Sequence, residues 1–367
     1  MYKSVVKPFL FLFSPDAVHN TIVRTGRVVQ GLAPVRWLLR KLWRRDHDML
    51  RQSLLGIDFI NPVGLSAGFD KNIELTPLME SVGFGFETGG SVTLTPRKGN
   101  DRPWFFRLPK TESIVVHAGL ANQGIISISK SIRRNKRHAK KMPLFVSVAV
   151  VAKTPRETNQ DAIIDARNTT LYILQRQLAK AIEINISCPN AGDSQPFTQP
   201  ELLDELLDEL DTLERSVPMF IKMPQVSSLK HFDALLSVIV KHDVQGITIA
   251  NLVKDRASVK VADDLPEDVR GGLSGAPTRQ RSTAMVHYAY KKYGQKLKII
   301  GVGGIFSAEH AYEKIRAGAS LVALVTGVIF EGPQVVGQIN KGLVELLERD
   351  GFATVTEAIG ADHQNRG

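Results

Sequence analysis

The chain has a single cysteine, Cys188, in 367 residues. A lone thiol excludes an intrachain disulfide and a cysteine-rich metal centre, and it suits a reducing compartment. Long hydrophobic runs are also missing: nothing approaches the roughly 20 apolar residues that a bilayer-spanning helix requires. "FLFLF" (9–13) is too short an apolar core for a secretory signal, and no small-residue cleavage site follows it cleanly. No tract is biased enough in composition to indicate disorder or a fibre. No metal is expected.

Acidic residues are scarce where it matters. The net charge of +10 would suit nucleic acid, an anionic membrane or an acidic ligand. Residues 1–51 hold ten Lys/Arg against three Asp, which is most of the excess. A second knot, "KSIRRNKRHAKKM" (130–142), has seven basic residues and no acid, and its plain reading is a solvated helix face. In the first segment, "VVKPFLFLFSPDAVHNTIVRTGRVVQGLAPVRWLLRKLWRR", bulky apolar clusters alternate with Arg and Lys. Such a segment can lie in a membrane interface, apolar side down and basic residues toward anionic headgroups. A helical cap with solvated charges is the alternative.

What is present, after residue 55, is a repeated alternation. Eight short runs are nearly all apolar: 61–68, 83–90, 144–150, 181–187, 219–223, 246–251, 298–304 and 321–327. Parallel strands covered on both faces read this way. Between them lie stretches with helical spacing, such as "QPELLDELLDELDTLERSV" and "SAEHAYEKIRAG", with Pro200 and Ser307 placed at helix starts. Eight such alternations predict an α/β fold, a (β/α)8 TIM barrel with an N-terminal helical extension. A doubly wound sheet would need a Gly-rich dinucleotide turn after its first strand, and "GLSAGFDKN" is not one. The long connections, 91–143 and 252–297, are expected to cover the active-site face.

Chemistry in such a barrel belongs at the C-terminal ends of the strands. There the sequence sets Lys71, then Asn185, Cys188 and Asn190, then Lys222 and Asn251. Each has an ordinary reading: a buried thiol, a turn asparagine, a solvated lysine. Together, at one end, they could hold a planar ligand rich in carbonyl and carboxylate groups. "GVGGIFSAEH", "TGVIFEGP" and "RGGLSGAP" (270–277) add Gly-rich turns, and the first two follow the strands where barrels bind phosphate.

The motifs "NPVGLSAGFDKN", "GNDRPWFFRLP", "INISCPN", "GGLSGAPT", "IIGVGGI" and "LVALVTGVIFEGP", in this order, resemble the dihydroorotate dehydrogenases. "SPDAVHN" and the basic extension resemble the class 2 members, membrane-associated flavoproteins that pass electrons from dihydroorotate through FMN to a quinone. The resemblance implies that Cys188 is the catalytic base and that Lys71, Asn185, Asn190 and Asn251 bind substrate. It implies FMN contacts from Ala67, Gly68, Lys71, Ser91, Ser147, Asn185, Lys222, Ala250 and Val325. Gly275, Gly303, Gly304, Thr326 and Gly327 would surround the phosphate, and Arg107 would stand beside the quinone. Residues 1–52 would then be the membrane-associating and quinone-tunnel extension, 53–350 the FMN barrel and 351–367 a tail. The implied location is a peripheral membrane one, on the cytoplasmic face of the inner membrane in a bacterium, with no nucleic acid partner.

The pattern departs from class 2 at several points. Serine is the usual base there. Val116 replaces a substrate-binding Asn, Leu120 a ring-packing Phe, Ser147 an Asn, Leu252 a Ser or Thr, and Val325 a Tyr. Alternatives are therefore a divergent FMN-binding paralogue acting on another reduced heterocycle or on nothing, a tRNA-dihydrouridine-synthase-like enzyme, and a non-catalytic membrane adaptor.

Overall fold

A computed structural model describes residues 2–137, 142–152, 157–188 and 195–364. Three helices come first: α1 (Lys7–Phe11), α2 (Pro15–Val29) and α3 (Ala33–Trp43). Proline occupies the first turn of α2 and α3, where its missing N–H costs nothing, and Ser14 caps α2 through the N–H of Ala17 at 3.3 Å. Eight parallel strands follow: β1 (Val63–Leu65), β2 (Phe86–Val92), β3 (Leu144–Ala149), β4 (Ala181–Asn185), β5 (Met219–Lys222), β6 (Gly246–Ile249), β7 (Lys298–Val302) and β8 (Leu321–Leu324). Each pairs with the next, and β8 returns to β1, closing the barrel. The outer layer includes α4 (Thr76–Val82), α5 (Ile125–Lys136), α6 (Asn159–Gln175), α7 (Pro200–Asp211), α8 (Leu229–Ile239), α9 (Arg279–Tyr293), α10 (Ala308–Arg316), α11 (Thr326–Glu331) and α12 (Val335–Asp350). The expected starts hold: α7 opens on Pro200, and the Ser307 side chain accepts from His310 N to begin α10.

Strand alternation sorts the side chains. Ile182 and Ile184 of β4 pack outward into the main core, whereas Ala181 joins the phenylalanines inside the barrel. Phe86, Phe145 and Phe220 pack in series, 5.4 and 5.7 Å between neighbouring centroids. A hairpin, Gln52–Leu54 with Ile57–Phe59, closes that N-terminal end, with Phe59 5.8 Å from Phe86. Burial on this scale, ~2 kcal/mol per large side chain, makes the barrel bottom a plug, not a channel.

The long connections do cover the opposite end. The first carries a hairpin, Phe105–Leu108 with Ser113–Val116, and then α5. Gly272–Leu273, from the second, pairs with Val116 and Val115 to make a three-stranded sheet over the barrel mouth. The extension docks on this cover: buried Asp16 of α2 accepts from Arg102 (2.6 Å) and from the backbone N–H groups of Trp104 (3.1 Å) and Phe105 (3.2 Å). On the other side, Arg40 of α3 and Arg44 just after it bind the buried carboxylate of Glu80 on α4. Residues 351–364 are not loose: Val355 and Ala358 are buried in the main core.

Candidate active site

A cavity of about 660 Å³ runs from the C-terminal barrel end, beneath the three-stranded sheet, to the facing sides of α2 and α3. Its inner end is polar because the ends of five strands, β2 to β6, are tied together there. The Asn185 amide donates to Ser91 Oγ at 2.8 Å, and Ser91 Oγ lies 2.8 Å from Ser147 Oγ. Asn251 Nδ2 donates to Ser187 O at 2.9 Å and Ser187 Oγ at 3.0 Å, while Ser187 Oγ donates to Lys222 O at 2.8 Å. Asn251 Nδ2 also comes within 3.3 Å of Asn185 Oδ1. Such a cross-linked network fixes the amides before any ligand arrives.

Cys188 lines the same cavity, half-buried, just beyond β4. The guanidinium of Arg97 interacts with it electrostatically. Arg97 is held by the carbonyls of Gly119 and Ala152, each at 2.9 Å. Lys71 extends beneath the cover, its ammonium donating to Gly68 O at 2.8 Å and 4.8 Å from the Phe105 ring centre. Burial pushes Lys71 down to about 8, despite Asp70 and Asp16 nearby.

Farther out, His19 of α2 packs against Phe69 and Phe105, at 5.6 and 5.4 Å between ring centres. Burial, reinforced by the charges of Lys71 and Arg102, pushes His19 down to about 3, so its ring is neutral at ordinary pH. Arg107 donates to Phe13 O at 2.8 Å, and its guanidinium lies 4.4 Å from the Phe11 ring centre. Beyond these, Val18, Ile22, Val29, Val35 and Leu39 make an apolar passage.

The third wall is backbone. Gly303 (φ 109°) and Gly304 (φ 68°) follow β7 in the left-handed region, and side chains there would run into Thr278 and Arg279. Thr278 Oγ1 donates to Gly275 O at 2.7 Å within the Gly275 loop, and Thr326 Oγ1 bonds Ser274 Oγ at 2.8 Å, joining the turn after β8 to that loop. Bare backbone with two lysines in the same cavity fits a phosphate-bearing, electron-accepting cofactor such as FMN.

Of the residues singled out from the sequence, Ala67, Gly68, Lys71, Ser91, Asn185 and Cys188 line this one cavity. So do Lys222, Ala250, Asn251, Gly275, Gly303 and Gly304. Val325, Thr326, Gly327 and Arg107 complete the set. Ser147 does not line it: fully buried, it stands one layer back and acts through Ser91. Asn190 lies outside the described residues, as do 138–141 of the basic knot. Val116, Leu120 and Leu252 line the cavity too, so one wall of its inner end is apolar. His19, Ser187 and Arg97 were not singled out. His19 stands in the quoted "SPDAVHN", but only the docking of α2 turns it inward.

Comparison with known proteins gives a consistent answer. The dihydroorotate dehydrogenase family profile matches residues 49–347. A dihydroorotate dehydrogenase (quinone) of Deinococcus deserti is 35% identical over 371 residues, covering 99% of this chain and 100% of that one. Its counterpart in Anaeromyxobacter dehalogenans is 36% identical over 369 residues, covering 99% and 97%. The crystal structure of DHODH from Eimeria tenella in complex with ferulenol has a TM-score of 0.82 at 26% identity, covering 95% of this chain and 96% of that one. The chain belongs to the dihydroorotate dehydrogenase family.

Proposed function

We propose that the chain oxidises (S)-dihydroorotate to orotate with FMN and passes the electrons to a quinone, a step of pyrimidine biosynthesis. The observation that carries this is the two-ended cavity: amides, a thiol and lysines inside, an apolar passage outside. Cys188, as the base, takes the proton from C5 of the substrate while hydride leaves C6, which creates the C5=C6 double bond of orotate. Asn185 and Asn251, with Asn190, orient the pyrimidine ring through their amides. Lys71 pairs with the substrate's anionic charge. When bound, FMN supplies the hydride acceptor and afterwards the two electrons that, with two protons, convert quinone to quinol. Gly275, Gly303, Gly304, Thr326 and Gly327 would hold its phosphate, and Lys222 its pyrimidine edge. Closing the inner end under the three-stranded sheet keeps water from the reacting atoms.

Residues 1–52 serve in this reading as the membrane-facing, quinone-admitting extension to the barrel of 53–350, with 351–367 as a C-terminal tail. Phe9 (59% exposed), Leu12 (79%) and Trp37 (59%) are apolar side chains left in solvent near the cavity mouth, amid the basic excess of the segment. Among the described residues no helix is long and apolar enough to cross a membrane, so the association would be peripheral. In a bacterium the face would be the cytoplasmic one of the inner membrane.

Turnover of dihydroorotate with a ubiquinone analogue tests the reading. Steady reduction of the quinone is expected. A yellow, FMN-loaded protein that leaves dihydroorotate unchanged would point to another reduced heterocycle.

A further inference from the structure

Ala181, Glu183 and Asn185 of β4 alternate inward, as do Phe220 and Lys222 of β5. In register Glu183 lies opposite Phe220, and Asn185 opposite Lys222, so Glu183 sits one layer beneath the cavity floor. Its carboxylate Oε1 is 3.8 Å from the Lys222 ammonium. Glu183 is 1% exposed and Lys222 5%, and the packed rings of Phe145 and Phe220 shut off the barrel bottom. No hydrogen bond among the described residues reaches Glu183 Oε1. The pair is thus too long for a hydrogen bond but well inside Coulomb range, in an interior where little water screens it. Lys222 lines the cavity and Glu183 does not, so the carboxylate meets a ligand mainly through the lysine.

We propose that Glu183 is a positioning residue that partly compensates the Lys222 charge presented to the flavin and so lowers the flavin's reduction potential. The proposal rests on the reading that Lys222 faces the flavin's pyrimidine edge. A bare ammonium there stabilises the anionic charge that reduction places on that edge, and holds the electrons more tightly. A carboxylate behind it weakens that hold and leaves the electrons easier to pass to a quinone. Glu183 touches neither substrate nor the reacting atoms.

The test is the flavin midpoint potential of the holoenzyme, measured by spectroelectrochemistry near neutral pH. Glu183→Gln is expected to favour reduced over oxidised flavin about tenfold, which is a rise of about 30 mV for a two-electron couple. Glu183→Asp, the gentler change should Gln disturb folding, draws the carboxylate back and should give a potential between wild type and Gln. A potential at or below wild type in either variant overturns the proposal. Lys222→Met should lower the potential, and adding Glu183→Gln to it should produce less than half the single-variant rise. An undiminished rise in that background would show direct action on the flavin and overturn the role through Lys222. If Lys222→Met leaves the potential unmoved, the placement of Lys222 at the flavin is what has failed. That outcome is separable from a Glu183 that is silent beside a responsive Lys222.

Discussion

The two ends of the cavity are built by different means. The inner end hangs from barrel strands, and its amides and hydroxyls are tied to one another before a ligand arrives. The outer end is made by α2 and α3, held to the barrel and its cover by charged contacts and by Val23 and Trp43 on the main core, with large apolar side chains left in solvent. The inner end is organised for chemistry on a polar ring; the outer end is organised for passage of an apolar molecule. Damage to one should therefore leave the other's half-reaction standing.

The largest separation is expected from Cys188→Ala. Removing a general base costs about 10²–10⁴-fold in rate, so flavin reduction by dihydroorotate should collapse while reoxidation by quinone stays normal in stopped-flow traces. Cys188→Ser should fall between. Equal slowing of both half-reactions would mean the two ends are not independent. Arg107→Ala probes the other end: losing its bond to Phe13 O and its stacking on Phe11 should raise the quinone KM about tenfold, on the order of 1.4 kcal/mol. Flavin reduction by dihydroorotate should be untouched.

Two pH effects sharpen the contrast further. Lys71, held down to about 8, loses its charge as pH rises through that value. Dihydroorotate binding should weaken above pH 8, by at most about tenfold per unit, in a titration of the flavin spectrum. Lys71→Gln should flatten that dependence. His19 is the smaller effect and concerns stability. Its folded value of about 3 lies below the ordinary 6.5, so between these values the unfolded chain binds a proton that the folded one refuses. Its contribution is present above pH 6.5 and lost as pH falls toward 3, by up to about 1.4 kcal/mol per pH unit. Urea unfolding of His19→Phe should show a shallower acid limb than wild type.

Much of the inner end was legible in the sequence. Strands covered on both faces read as continuous apolar runs, and a barrel puts their C-terminal ends at one place, so Lys71, Asn185, Cys188, Lys222 and Asn251 could be gathered without coordinates. Glu183 could not. It interrupts an apolar run, and only the β4–β5 register shows that it lies under Lys222. Ser147 was read as facing the cofactor, but the Ser91 side chain comes between it and the cavity. The outer end was legible only as amphipathic helix. Which side chains turn inward depends on distant partners: Asp16 finding Trp104 and Phe105, and Arg40 and Arg44 finding Glu80. The Gly272–Leu273 strand is likewise too short to announce itself, and it forms between distant partners, Val115 and Val116 on one side and Val253 on the other.

The apolar inner wall of Val116, Leu120 and Leu252 makes substrate identity the sharpest point of the account. Mixing the FMN-loaded protein anaerobically with dihydroorotate isolates the inner end, because no quinone takes part. The account predicts loss of the flavin's visible absorbance, with orotate formed in equal amount to the flavin reduced. A flavin that stays oxidised with dihydroorotate, yet is readily reduced by dithionite, would contradict it.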